Sequence, residues 1–146
     1  MPPPAVSPFT AWGLFPLRIV VGTVFLMHGG QKLFVFGISG TTNAMENMGI
    51  PLPAVSAVVV SLVEFLGGAA VLTGFATRWA GLLLAIDMLV AILAVRLPGG
   101  FFAPGGVEFE FTLLGAALTL MFVGPGPGPL DRWLVRAREP GPPTSP

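Results

Sequence analysis

The stretch AVSAVVVSLVEFLGGAAVLTGFA, residues 54–76, decides the fold, because one acidic residue, Glu64, stands in the middle of a long apolar run. A helix rises about 1.5 Å per residue and a bilayer core is about 30 Å thick, so this run can cross a membrane. A second run, residues 79–95, carries Asp87 in the same central position. We expect both carboxyls near the bilayer midplane, where an ionisable side chain suggests a functional site. The alternative is a buried acid that an arginine holds for packing alone.

The composition is that of an integral membrane protein. Hydrophobic residues make up 53% of the chain and charged residues 10%, with a mean hydropathy of +0.85, which leaves too little polar surface for a soluble domain. The 7 basic and 7 acidic residues cancel, and no basic stripe is present, so nucleic acid is not an expected partner. The chain has no cysteine and therefore cannot hold an iron–sulfur cluster. Any redox chemistry must come from a partner or a bound cofactor.

Apolar runs predict an all-α membrane protein, a four-transmembrane-helix bundle with spans at residues 12–36, 54–76, 79–97 and 107–123. A proline-rich segment, residues 1–11, precedes this transmembrane domain (residues 12–134) and is expected to be flexible. It lacks the basic region of a signal peptide, so the first run should be retained. Residues 135–146 are expected to form a polar, disordered tail.

Basic residues predict the orientation, because short cytoplasmic loops carry the excess of lysine and arginine. One side of the membrane would carry Arg18, Arg78, Arg132, Arg136 and Arg138. The other side would carry Lys32 and Arg96. This distribution places both termini in the cytoplasm.

The two outer connections are rich in glycine. A helical piece is predicted around residues 42–48, ending at Gly49 and Pro51. Residues 98–106, PGGFFAPGG, place Phe101 and Phe102 at the membrane edge, either as a simple aromatic anchor, which we favour, or as a loop that dips into the bilayer.

Three of the predicted helices carry small and polar residues at helical spacing, which predicts that these stripes face the bundle centre. The first stripe is Arg18, Gly22, Phe25, Gly29 and Lys32. The second is Glu64, Gly68, Val71, Phe75 and Arg78. The last is Glu108, Thr112, Gly115 and Thr119. Small pairs at Ala70 and Gly74 and at Gly81 and Ala85 suit either an oligomer or internal packing.

The stripes supply the candidate site residues. Arg18 is expected to extend along the interior and pair with Glu64. Asp87 would then be the candidate for a neutral, proton-carrying carboxyl. Candidate ligand-binding residues are Arg18, Lys32, Glu64, Asp87 and Glu108, and Glu64 and Asp87 are the candidates for catalysis.

His28 is the only histidine, so a bis-histidine haem site is excluded. A metal site with Glu46, Glu108 or Glu110 is conceivable, but no paired-histidine spacing supports it, and no metal is predicted. We interpret His28 as a histidine whose hydrogen bonds are satisfied near the outer interface.

Several of these motifs, in order, resemble the DoxX family of membrane proteins. They are RIVVGTVFLMHGGQKL at residues 18–33, VEFLGG at 63–68, GVEF at 106–109 and GPG at 124–126. The resemblance implies a small four-helix protein of the bacterial or archaeal cytoplasmic membrane, similar to the small subunit of thiosulfate:quinone oxidoreductase. Relatives are also linked to membrane oxidoreductase assemblies that handle oxidative stress.

The expected function is therefore that of an accessory subunit of a membrane redox complex, in which a membrane quinone or a partner subunit meets the polar interior. A homo-oligomer is also conceivable. Two other classes stay open: a structural or chaperone-like membrane protein, and a small proton or anion transporter in which Arg18 and Lys32 are the positive steps.

Overall fold

The computed structural model describes residues 8–126, and every regular element within that range is helical. The main helices are α1 (Pro8–Gly30), α2 (Gly37–Asn47), α3 (Pro53–Thr73), α4 (Thr77–Ala91) and α5 (Glu108–Val123). Two π-helical turns, Gln31–Val35 and Ile92–Arg96, follow α1 and α4, and a 3-10 turn, Leu97–Gly99, follows the second. The predicted all-α class is confirmed. Residues 1–7 and the predicted tail, residues 135–146, lie outside the described residues.

Three helical stretches of the described chain are long and apolar enough to cross a membrane: Trp12–Val35, Pro53–Thr73 and Thr77–Gly99. The fourth predicted span corresponds to α5, a helix of 16 residues. Such a helix is about 24 Å long, somewhat shorter than the hydrocarbon core. The outer helical piece is α2, which begins earlier than predicted, at Gly37, and ends at Asn47, before the left-handed Gly49.

Glycines bring α1 and α3 together as antiparallel neighbours. A Cβ atom at Gly29 would collide with the backbone of Phe65, and one at Gly68 would collide with the backbone of Leu26. On the other side of the molecule, Gly81 of α4 lies against the backbone of α5 in the same way. Small residues let helix backbones approach this closely in membranes. The small pair that contains Gly81 is therefore used for packing within the chain.

The predicted stripe on α1 is confirmed, since its first four residues are buried and Lys32 is half-buried. On α3 the stripe is confirmed from Glu64 to Val71. It is wrong at Phe75 and Arg78, which are exposed because α3 ends at Thr73 and Gly74 is left-handed.

The predicted stripe on α5 is wrong. Thr112, Gly115 and Thr119 are exposed, and the buried face consists of Glu110, Leu113, Ala117 and Leu120. Because α5 is apolar on all sides, its residue pattern hardly distinguishes one face from another. Packing against α4 decides which side is buried.

The loop before α5 is closed by backbone hydrogen bonds from Val107 to Gly100 and from Glu108 to Phe101. Phe101 and Phe102 are exposed, and their rings pack edge to face with centroids 5.4 Å apart. Exposed aromatic rings beside a membrane helix suit an interfacial anchor.

Candidate functional site

An ion pair connects the end of α1 to the middle of α3. The Nζ atom of Lys32 donates a hydrogen bond to Oε2 of Glu64. The side chain of Glu64 is 7% exposed and that of Lys32 is 21% exposed, so the pair is buried but not sealed. The π-helical turn that carries Lys32 is a kind of irregularity often found at functional sites.

Asp87 of α4 completes this group, which we name the central cluster (Lys32, Glu64 and Asp87). Its carboxyl interacts electrostatically with both Glu64 and Lys32. Its Oδ2 atom is buried and has no hydrogen-bond partner among the described residues. With one ammonium and two carboxyl groups, the cluster is electrically neutral when it holds one proton. The cluster therefore has the composition of a proton-holding site.

Thr41 of α2 supports the cluster through the backbone of Lys32. Its buried Oγ1 atom lies 3.2 Å from the carbonyl oxygen of Lys32 and 3.0 Å from that of Gly37. A hydroxyl has one hydrogen to donate and can share it between two such carbonyls. Thr41 thereby fixes the backbone that carries the Lys32 ammonium.

Arg18 does not belong to the central cluster, and its predicted pair with Glu64 is wrong. Nε donates to the carbonyl oxygen of Val71 at 3.1 Å, Nη2 to that of Leu72 at 3.2 Å, and Nη1 to that of Pro125 at 2.8 Å. The last carbonyls of a helix lack partners within the helix and favour a cation. Arg18 therefore clamps the end of α3 to the segment that follows α5.

A second ion pair, which the sequence reasoning missed, joins the end of α4 to α5. Nε of Arg96 lies 2.8 Å from Oε1 of Glu110, whose side chain is 9% exposed. Glu108, the acid that was predicted to face inward, instead accepts a hydrogen bond from the backbone nitrogen of Ala103 at 2.9 Å. Its observed contact is to the loop. A basic residue at the end of each of two apolar runs, Lys32 and Arg96, is the signal that could have suggested two such pairs.

His28 is exposed, and its ring lies 6.0 Å from that of Phe109, measured between centroids. It makes no hydrogen bond to another described residue, and the interpretation of a satisfied histidine stays a prediction. Within residues 8–126, no three histidine, aspartate or glutamate side chains come together as a metal site would require.

The comparisons with known proteins agree with this architecture. The DoxX family model matches residues 13–97, which include all three residues of the central cluster. "Putative oxidoreductase CatD" of Bacillus subtilis (strain 168) is 33% identical over 129 residues, covering 88% of this chain and 92% of that protein. "Inner membrane protein YqjF" of Escherichia coli (strain K12) is 36% identical over 130 residues, covering 84% and 92%.

A third relative, "Uncharacterized membrane protein Rv3486" of Mycobacterium tuberculosis, is 35% identical over 131 residues, covering 82% of this chain and 80% of that protein. No solved structure gives a significant match to this chain. Both the family model and these full-length relatives agree with the apolar helices described above. The chain therefore belongs to the DoxX family of membrane proteins.

Proposed function

We propose that this chain is an accessory subunit of a membrane redox complex, and that a quinone headgroup meets it at the central cluster. The observation that carries the proposal is that Lys32, from the turn after α1, meets Glu64 and Asp87 in the middle of apolar helices, with Glu64 buried. Ionisable groups are costly there, and in membrane proteins they typically serve proton or ligand pathways. The name of the relative CatD supports a redox setting.

The residues fit such a headgroup. Lys32 is 21% exposed, and its ammonium group can donate a hydrogen bond to a carbonyl oxygen of the headgroup. Oδ2 of Asp87 has no hydrogen-bond partner among the described residues, and a ligand or a proton can supply one. A bound quinone would supply an electron acceptor that takes up two protons with two electrons. Glu64 and Asp87 would hold and release one of these protons beside Lys32.

The electrons must come from a partner subunit. The chain has no cysteine and one histidine, so it lacks the residues for an iron–sulfur cluster or a bis-histidine haem. An accessory role therefore explains why a polar site lies in a chain that has no redox centre of its own. A homo-oligomer is not needed for the cluster, whose three residues all come from one chain.

We further propose that α5 is a fourth span and that both termini are cytoplasmic. The Arg96 to Glu110 pair and the contact of Gly81 with Ala117 align α5 antiparallel to α4 along most of its length. Because α4 spans the membrane, a helix that packs along most of its length lies in the same bilayer. With four spans, the excess of basic residues on the side of Arg18 orients the chain.

The direct test uses the assembled complex, extracted gently from its own membrane and identified by native mass spectrometry. Glu64→Gln keeps the shape of the side chain and removes its charge. We expect quinone reduction by the complex to fall about tenfold or more, as typical of a lost proton-transfer group, while the complex stays assembled. Glu46→Gln, at an exposed acid of α2, is the matched control. Unchanged turnover of the Glu64 variant would contradict the proposal.

The structural alternative rests on the same ion pair, because the pair also joins α1 to α3. If Glu64→Gln abolishes folding and Asp87→Asn changes neither folding nor turnover, the cluster serves stability alone. The transport alternative is separated by a proton-flux assay in proteoliposomes. Flux that the Asp87→Asn variant loses, with no quinone present, would favour it.

A further inference from the structure

The surface of α1 carries an anomaly beside the central cluster. Gly29 lies against the backbone of Glu64 and Phe65, so its neighbour His28 stands at the depth of Glu64, in the middle of α3. Yet His28 is exposed. Polar side chains at this depth normally face the bundle interior or a water-filled cavity.

Two more polar side chains continue from His28. Gln31, three residues on, is also exposed, and Lys32, four residues on, lies on the same face of the helix. Neither His28 nor Gln31 makes a side-chain hydrogen bond within the described part of the chain. A polar strip therefore runs from the lipid-facing surface of α1 to the buried ammonium of Lys32.

The strip lies where α5 approaches α1. The ring of Phe109 packs against that of His28 and is itself 47% exposed. The adjoining face of α1, which carries Gly22 and Gly29, is closed by contacts with α3. Phe109 borders His28, and the side chain of Lys32 is 21% exposed, so the ion pair is not sealed from its surroundings.

We propose that His28, Gln31 and Phe109 form a lateral portal between α1 and α5. Through it, a lipophilic molecule whose headgroup carries hydrogen-bond acceptors passes from the bilayer to the central cluster. The inference rests on the proposed function and adds the route by which the ligand arrives. Imidazole, amide and ammonium groups donate in turn to the acceptor oxygens, while the apolar tail stays among lipids. Phe109 is the apolar wall that such a tail would contact.

The natural absence of cysteine allows a direct test with single thiols. His28→Cys places a thiol in the portal, and Leu66→Cys places the control thiol at an exposed position of α3 close in depth to Glu64. The full chain in lipid nanodiscs is treated with N-ethylmaleimide, with and without decylubiquinone as the probe. At a decylubiquinone concentration about ten times Kd, about one site in ten stays empty, so we expect alkylation at position 28 to slow about tenfold. The alkylation rate at position 66 should stay unchanged.

A second readout is kinetic. A pyrene maleimide attached to the thiol at position 28 should obstruct the approach of decylubiquinone and lower its association rate constant about tenfold. The same adduct at position 66 should leave that rate constant unchanged. The portal is overturned if decylubiquinone neither protects the thiol at position 28 nor binds more slowly when that thiol carries the adduct. The proposed function still stands in that case if the chain binds decylubiquinone and the Lys32→Met variant binds it more weakly. If the unaltered chain binds no decylubiquinone, both fail. Disulfide-linked dimers of the His28→Cys variant in proteoliposomes would show that a second copy covers this face, which also overturns the portal.

Discussion

Lys32 and Glu64 pair in the middle of α3, whereas Arg18, on the same stripe of α1, binds the carbonyls at the end of α3. The two basic residues are 14 positions apart, which is about 21 Å along a helix. One stripe thus supplies a charged site at mid-depth and a structural clamp near its start. The clamp at Arg18 can therefore be changed without altering the charged site.

Lys32→Met should destabilise the protein more than replacement of the whole pair. The single change leaves Glu64 buried without its cation, a situation that typically costs about 3–5 kcal/mol, while Lys32→Met with Glu64→Leu leaves no buried charge in the pair. The free energy of unfolding in mild detergent measures both, with Arg78→Met, at an exposed arginine, as the control. Equal losses in the single and double variants would contradict the ion-pair account.

Arg18→Lys tests the clamp. Lysine keeps the charge but has all its donors on one nitrogen, whereas Arg18 uses three nitrogens to reach the carbonyls of Val71, Leu72 and Pro125. Each lost hydrogen bond from a charged group is worth about 1.5–3 kcal/mol. We expect a lower free energy of unfolding and an unchanged Kd for decylubiquinone in the folded protein. A weaker Kd with unchanged stability would return Arg18 to the ligand site.

The sequence predicted the helices and much of the interior, because the spacing of glycine and charge on α1 and α3 allows few rotations of these helices. It identified Glu64 and Asp87 as the central acids for a simple reason, namely their position within runs long enough to span. On α3 the confirmed part of the stripe ends at Val71, in the last turn of the helix. Gly74 terminates α3, and the pattern has no meaning beyond it.

Partner choice could not be predicted from the sequence. Arg18 and Lys32 are both on the stripe, but Arg18 donates to the carbonyls of Val71, Leu72 and Pro125 rather than to Glu64. On α5, Glu108 and Glu110 are two residues apart and so point to different sides of the helix. The position of Arg96 after a π-helical turn decides which acid is buried, and no periodicity reveals that turn.

Thr41→Val should weaken the central cluster without changing any charge. Valine has nearly the same shape but cannot donate to the carbonyls of Lys32 and Gly37, a loss of about 1 kcal/mol. We expect a several-fold weaker Kd for decylubiquinone, because the ammonium of Lys32 is less firmly positioned. Thr42→Val is the control, since the hydroxyl of Thr42 reaches the carbonyl of Ile38 within the same helix. Equal effects of the two variants would show that Thr41 only stabilises α2.

Glycine substitutions separate the inner and outer faces of the bundle. Gly29→Ala puts a Cβ atom into the backbone of Phe65, so α1 and α3 must move apart beside the Lys32 to Glu64 pair, at a cost of about 1–3 kcal/mol. Gly115→Ala meets nothing within 4 Å on the exposed face of α5 and should stabilise the helix by up to about 1 kcal/mol, as alanine favours helices over glycine. Thermal unfolding of both variants measures these changes in stability, and the decylubiquinone affinity of each variant is measured in parallel. Because Gly29 lies beside Glu64, we expect its variant alone to lose affinity, and a neutral Gly29→Ala would contradict the close packing of α1 on α3.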